Sequence, residues 1–133
     1  MKYYEQRQLL PVGSARRKAL CGNWKGQVTQ RSIGTYEVEM SLDSKGSKII
    51  GKGWLRNSKI NSLIVLEMEG GFLYENYLKL EYKNADSAHI FQFGSMIFEV
   101  SPCSKKIKGK FSGYGSVSKA VVGGDISLEK NSS

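Results

Sequence analysis

From Gly22 to the end of the chain, apolar and polar residues alternate in steps of two. The clearest run sets Phe72, Tyr74, Asn76, Leu78, Leu80 and Tyr82 against Leu73, Glu75, Tyr77, Lys79, Glu81 and Lys83. Another sets Tyr36, Val38, Met40 and Leu42 against Glu37, Glu39, Ser41 and Asp43. A helix would need a period near 3.6, so a period of two means strands with one face covered. Runs at 22–30, 35–43, 47–55, 60–69, 72–83, 88–101, 105–115 and 119–130 predict eight strands. Gly70-Gly71 is read as the turn before the fifth run, Asn84-Ala85-Asp86-Ser87 as a loop, and Gly94 as a kink.

The connections are too short for crossover helices, so consecutive strands must be antiparallel. The expected fold is all-β, an eight-stranded antiparallel up-and-down barrel, with a β-sandwich as the alternative. Closure also removes sheet edges, which strands this apolar would otherwise expose. Upstream, residues 1–13 are irregular or helical. Ser14 then caps a short basic helix, Ala15-Arg16-Arg17-Lys18-Ala19-Leu20, with Gly22 past its end. The division is an N-terminal segment over 1–21 whose helix closes one end, a barrel over 22–130, and a disordered tail over 131–133.

Cys21-Gly22-Asn23-Trp24-Lys25-Gly26 carries a resemblance. A Gly-x-Trp following a short helix and opening a strand meander of this length resembles the calycin barrels: lipocalins, avidins and fatty-acid-binding proteins. The resemblance implies that Trp24 closes the barrel floor and that a basic residue of the last strand, here Lys130, packs over it. Arg31-Ser32-Ile33-Gly34 leaves no room for the helix pair of fatty-acid-binding proteins, and two tryptophans are too few for an avidin-like biotin cage. The family's ligands are therefore not carried over.

A chain of 133 residues with 40% hydrophobic and 24% charged residues forms one globular domain with one core. No apolar run approaches the roughly 20 residues of a membrane-spanning helix. The opening Met1-Lys2-Tyr3-Tyr4-Glu5-Gln6-Arg7-Gln8 carries no hydrophobic signal segment, so a cytoplasmic location is expected. Cys21 and Cys103 do not make a zinc site. The topology puts both at the floor end, where a bridge could span, but a reducing compartment keeps them as free thiols.

No catalytic or metal-binding grouping stands out, and no cofactor is expected. His89 is the only histidine, on a face read as outer, so the protein is not expected to be an enzyme. The formal charge of +8 favours anionic partners. The topology gathers Arg31, Arg56, Lys59, Lys83 and Lys119, against Asp86 alone, around the end opposite the helix. Inward positions Tyr36, Ser62, Tyr74, Asn76 and Gln92 add hydrogen-bonding groups that need partners, whether one another, water or a ligand. These residues describe a non-enzymatic barrel that takes a small anionic or amphipathic ligand, with a carboxylate, a phosphate or a nucleotide among the candidates. Two other readings use the outside. One is nucleic-acid binding through Lys25, Lys52, Lys106, Lys108 and Lys110 with Trp54 and Tyr114. The other is a protein-interaction barrel with a filled core, presenting Leu73, Tyr77, Phe91 and Phe93.

Overall fold

The computed structural model describes residues 14–30, 34–57, 62–74, 76–84, 92–115 and 120–131. Helix α1 (Ser14–Leu20) precedes eight strands: β1 (Gly22–Gln30), β2 (Gly34–Lys45), β3 (Lys48–Asn57), β4 (Ser62–Tyr74), β5 (Tyr77–Asn84), β6 (Phe93–Val100), β7 (Lys106–Gly115) and β8 (Ala120–Lys130). Each strand pairs with the next, and β8 returns to β1, so the sheet is a closed antiparallel up-and-down barrel rather than a sandwich. The floor holds α1 and the β2–β3, β4–β5 and β6–β7 turns. The opposite, upper end holds the other four connections.

The alternation is realised as inward and outward faces. Val38, Met40 and Leu42 of β2, Leu66 and Met68 of β4, Leu78 and Leu80 of β5, and Met96, Phe98 and Val100 of β6 are all buried. With Trp24, Val28, Ile49, Ile64, Ile107, Ile126 and Leu128 they form one apolar core inside the barrel. Each such side chain contributes roughly 1.5–3 kcal/mol of apolar burial. Outward rows are polar: Ser41, Lys52, Glu67 and Lys83 stand in register across four strands. A lipid-embedded barrel would have the opposite pattern. Among the described residues, no helix is long and apolar enough to cross a membrane.

The floor is built as the Gly-x-Trp motif implied. Trp24 is fully buried and its indole Nε1 donates to the Leu20 carbonyl at 2.9 Å. Lys130, the cross-strand partner of Trp24, donates to the Ala19 carbonyl at 2.6 Å. Both satisfy carbonyls that the last turn of a helix leaves open, and the ammonium sits at the negative end of the helix dipole. Arg16 reaches outward from α1 to Asn76 Oδ1 at 3.2 Å and the Val100 carbonyl at 3.4 Å.

Three expectations are corrected. Gly70-Gly71 is not a turn: β4 runs through it to Tyr74, and Asn76 lies in the turn that follows. Gly70 is needed inside the strand because a Cβ there would collide with the Lys79 carbonyl of β5. A register shift between Phe72 and Tyr74 then breaks the inward parity. Tyr74 is consequently 58% exposed, and Asn76 lies exposed in the floor turn, with its backbone carbonyl bonded to Val100 N at 2.7 Å. At the other terminus, pairing extends past Lys130, since Asn131 N donates to the Asn23 carbonyl at 2.9 Å.

Candidate functional site

Toward the upper end, polar inward residues join the apolar core residues Val28, Ile64 and Leu66. Gln30 ends β1, and its Oε1 accepts from the Tyr36 hydroxyl of β2 at 3.4 Å. Tyr82 of β5 stands in one inward row with Met68, Gly94 and Gly113. The glycines of β6 and β7 at this row leave a niche, and the Tyr82 ring fills it. A Cβ on Gly94 would fall 2.7 Å from the Tyr82 hydroxyl, and one on Gly113 would collide with the same oxygen. Tyr82 is 8% exposed, and burial pushes its phenol up to about 12 from an ordinary value of 10.0.

One row higher, Asn84 lies beside Leu66, and Asn84 N donates to the Gln92 carbonyl at 3.0 Å. The side-chain oxygens of both residues, Asn84 Oδ1 and Gln92 Oε1, are buried and accept no hydrogen bond among the described residues. Buried acceptors without a donor cost roughly 1–3 kcal/mol each, so folded chains seldom keep them. Here two such acceptors, one at the end of β5 and one just before β6, stand one row above a neutral phenol. Together Gln30, Tyr36, Tyr82, Asn84 and Gln92 bring polar groups into an upper interior that also holds the apolar side chains of Val28, Leu55, Ile64 and Leu66.

Of the residues singled out from sequence, Tyr36 and Gln92 belong to this upper interior. Ser62 opens β4 opposite Asn57, at the same end of the barrel. Tyr74 and Asn76 are at the floor, far from it. Arg31 and Lys59 lie outside the described residues, as do Lys119, Asp86 and His89. Arg56 and Lys83 are exposed near the upper ends of β3 and β5 on the barrel's outer face. Sequence reasoning misses Asn84 because its neighbours read as a loop, and Gln30 because the alternation of its run is followed only to Val28. Parity alone places both inward, two residues beyond Tyr82 and Val28.

The outer surface has its own relief. A cavity of about 650 Å³ runs across β2–β5, lined by Ile50, Lys52, Trp54, Glu67, Glu69 and Glu81 among others. Trp54 separates it from a second of about 460 Å³ that includes Arg56. Its charges are largely answered locally. Glu69 pairs with Lys48 at 2.8 Å, which holds its carboxyl below the usual range, and Glu81 accepts from Ser95 Oγ at 2.5 Å. The lysines proposed for nucleic acid are partly engaged too: Lys106 pairs with Glu129 at 3.6 Å and Lys110 with Asp125 at 2.7 Å. Nor do the exposed apolar residues form one patch. Leu73 and Tyr77 are at the floor, whereas Phe93 stacks on Tyr114 near the upper end, and Phe91 lies outside the described residues.

No protein-family model matches the chain, and no curated protein matches it. Solved structures do. The chain is similar to EF1p2_mFAP2b, a protein solved bound to DFHBI, with a TM-score of 0.70 and 14% identity, over 89% of this chain and 100% of that one. It is similar to a de novo designed fluorescence-activating β-barrel, with a TM-score of 0.68 and 10% identity, over 90% and 100%. A redesigned β-barrel gives 0.67 and 11%, over 87% and 95%. At such identities the likeness is one of fold. The resemblance to calycin barrels is thus remote and architectural, and no named family is implied.

Proposed function

We propose that this protein is a non-enzymatic barrel that holds a small ligand in its upper interior. The observation that carries the reading is the pair of buried, unanswered acceptors, Asn84 Oδ1 and Gln92 Oε1, above the neutral phenol of Tyr82. A ligand bearing N–H or O–H donors would satisfy both, recovering hydrogen bonds that the protein alone forgoes. Amides and a phenol kept protonated recognise and orient, but they make poor bases and nucleophiles. The similar barrel bound to DFHBI supports the architecture as one able to enclose a small molecule.

In the finer form of this proposal the ligand is amphipathic. Its donor-bearing end sits between Asn84 and Gln92, and a carboxylate or phosphate stays at the rim, drawn by Arg56 and Lys83 and by the sequence neighbours Arg31 and Lys59. A nucleotide combines those two ends. The proposed setting is the cytoplasm.

Native mass spectrometry of freshly purified protein tests this directly. The wild type should carry a small-molecule adduct that Asn84→Leu/Gln92→Leu lacks. The double variant should also be at least as stable in urea as the ligand-free wild type, because two unanswered acceptors are gone. An adduct retained by the folded double variant would sink the assignment of the site. Displacement of the adduct by nucleoside monophosphates, but not by the nucleosides, would support the anionic end.

A further inference from the structure

The floor end has features that the upper interior does not use. Leu73, Tyr74 and Tyr77 are 47%, 58% and 43% exposed, and all three belong to the β4–β5 hairpin tip. Tyr74 and Tyr77 are cross-strand partners, so the tip presents a contiguous apolar and phenolic knob. Such exposure at one turn calls for a partner.

The tip is fixed relative to α1. Arg16 bonds Asn76 of the tip at 3.2 Å and stands 5.8 Å over the ring of Phe72, so helix and hairpin present themselves at the same end. Around them the charge is mostly positive. Lys18 of α1, Lys45 beside the β2–β3 turn and Lys105 of the β6–β7 turn are exposed and form no salt bridge among the described residues. Lys48 and Lys106 are neutralised by Glu69 and Glu129, leaving Asp43 and Glu99 as the opposing acids among the described residues; Glu75, in sequence between Tyr74 and Asn76, adds a third carboxylate and lies outside them.

We propose that the floor docks on the surface of an anionic phospholipid bilayer. The side chains of Leu73, Tyr74 and Tyr77 enter the headgroup region, and the surrounding cations rest on lipid phosphates. Tyrosine suits that depth because its ring is apolar and its hydroxyl stays wet. Each cation near an anionic surface adds about 1 kcal/mol, about fivefold in partitioning, so a few of them with a small apolar knob give reversible attachment. Held this way, the barrel would point its upper end into solvent, so the two sites do not compete.

Co-sedimentation of the full chain with vesicles tests the proposal, using phosphatidylcholine alone or with about 30% phosphatidylserine. The wild type should sediment only with the anionic vesicles and be released by salt. Lys18→Glu/Lys105→Glu and Tyr74→Ser/Tyr77→Ser should each lower partitioning at least about tenfold. Val121→Ser, at the most exposed large apolar residue of the opposite end, should bind as wild type. Circular dichroism confirms that the variants, all at exposed positions, remain folded. The proposal is overturned if the wild type stays in the supernatant, binds both vesicles equally, or loses nothing in either floor variant. It is also overturned if lipid-free protein dimerises through the tip, with Tyr74→Ser/Tyr77→Ser monomeric, since a second copy then covers the knob.

Discussion

Lys130 donates its ammonium to the Ala19 carbonyl at 2.6 Å, joining two residues 111 positions apart. Its Cε would lie only 3.0 Å from a Cβ on Gly22, so the side chain is packed along the motif as well as bonded beyond it. A hydrogen bond from a charged group is worth about 1.5–3 kcal/mol net. Lys130→Met keeps the stem and removes the donor, so it should lower stability by about that much in urea unfolding. It should also loosen α1, seen as a red shift and quenching of Trp24 fluorescence in a Trp54→Phe background. A variant that unfolds at the wild-type midpoint would show that the ammonium is dispensable to the floor.

The Tyr82 niche makes a second demand. Gly94→Ala would set a Cβ 2.7 Å from the Tyr82 hydroxyl and 2.6 Å from Gly113 Cα, with no flexible neighbour to yield. Overpacking of this kind typically costs about 1–3 kcal/mol. Gly71→Ala is the contrast, since its Cβ would meet only the Ser47 carbonyl at 3.5 Å. That change should stay within about 0.5 kcal/mol of wild type. Adding Tyr82→Phe to Gly94→Ala should recover part of the loss, and strict additivity would argue against the packing account.

These positions mark where the sequence is legible. Strand parity is local, so Val38, Met40 and Leu42 can be assigned inward from their own neighbours. Trp24 and Lys130 are legible by another route, the resemblance of the Gly-x-Trp motif to calycin barrels, which implies a floor tryptophan with a basic residue over it. Gly70-Gly71 is not: a missing side chain signals a turn and a close strand approach equally well, and only the Lys79 carbonyl decides between them. That ambiguity moves Tyr74 and Asn76 from the interior to the floor. Parity marks Gln92 as inward, but that Asn84 and Gln92 both lack a donor is hard to read, since the absence of a hydrogen-bond donor is a property of three-dimensional surroundings rather than of residue type.

The two thiols should react very differently. Cys103 is exposed, and hydrogen bonds from Ser101 and the Lys105 backbone hold its thiol below the ordinary value. Cys21 is half-buried, with its sulfur 3.4 Å from the Arg17 carbonyl. Thiolate is the reacting species, so limited iodoacetamide near neutral pH should label Cys103 first, as read by peptide mass. Ser101→Ala removes the leading cause of the shift and should slow that labelling, with the difference shrinking as pH rises. Equal labelling of Cys21 from the start would mean that the floor opens on the timescale of the reaction.

Tyr82 gives the protein a pH dependence of known sign. Its phenol ionises near 10.0 in the unfolded chain and about 12 in the folded one, because burial disfavours the phenolate. Below pH 10 the phenol is neutral in both states, and its full contribution is present. Between pH 10 and about 12 the unfolded chain loses the proton and the folded chain keeps it, so stability falls as pH rises. At roughly 1.4 kcal/mol per unit, the loss approaches about 3 kcal/mol by the top of that window. Lysines titrate over the same range, so the measurement is a difference: urea unfolding of wild type and Tyr82→Phe at matched pH. Across the window the stability gap should shift in favour of the Tyr82→Phe variant, which has no phenol to ionise. A gap that stays constant with pH would place the Tyr82 hydroxyl in water rather than over Gly94 and Gly113.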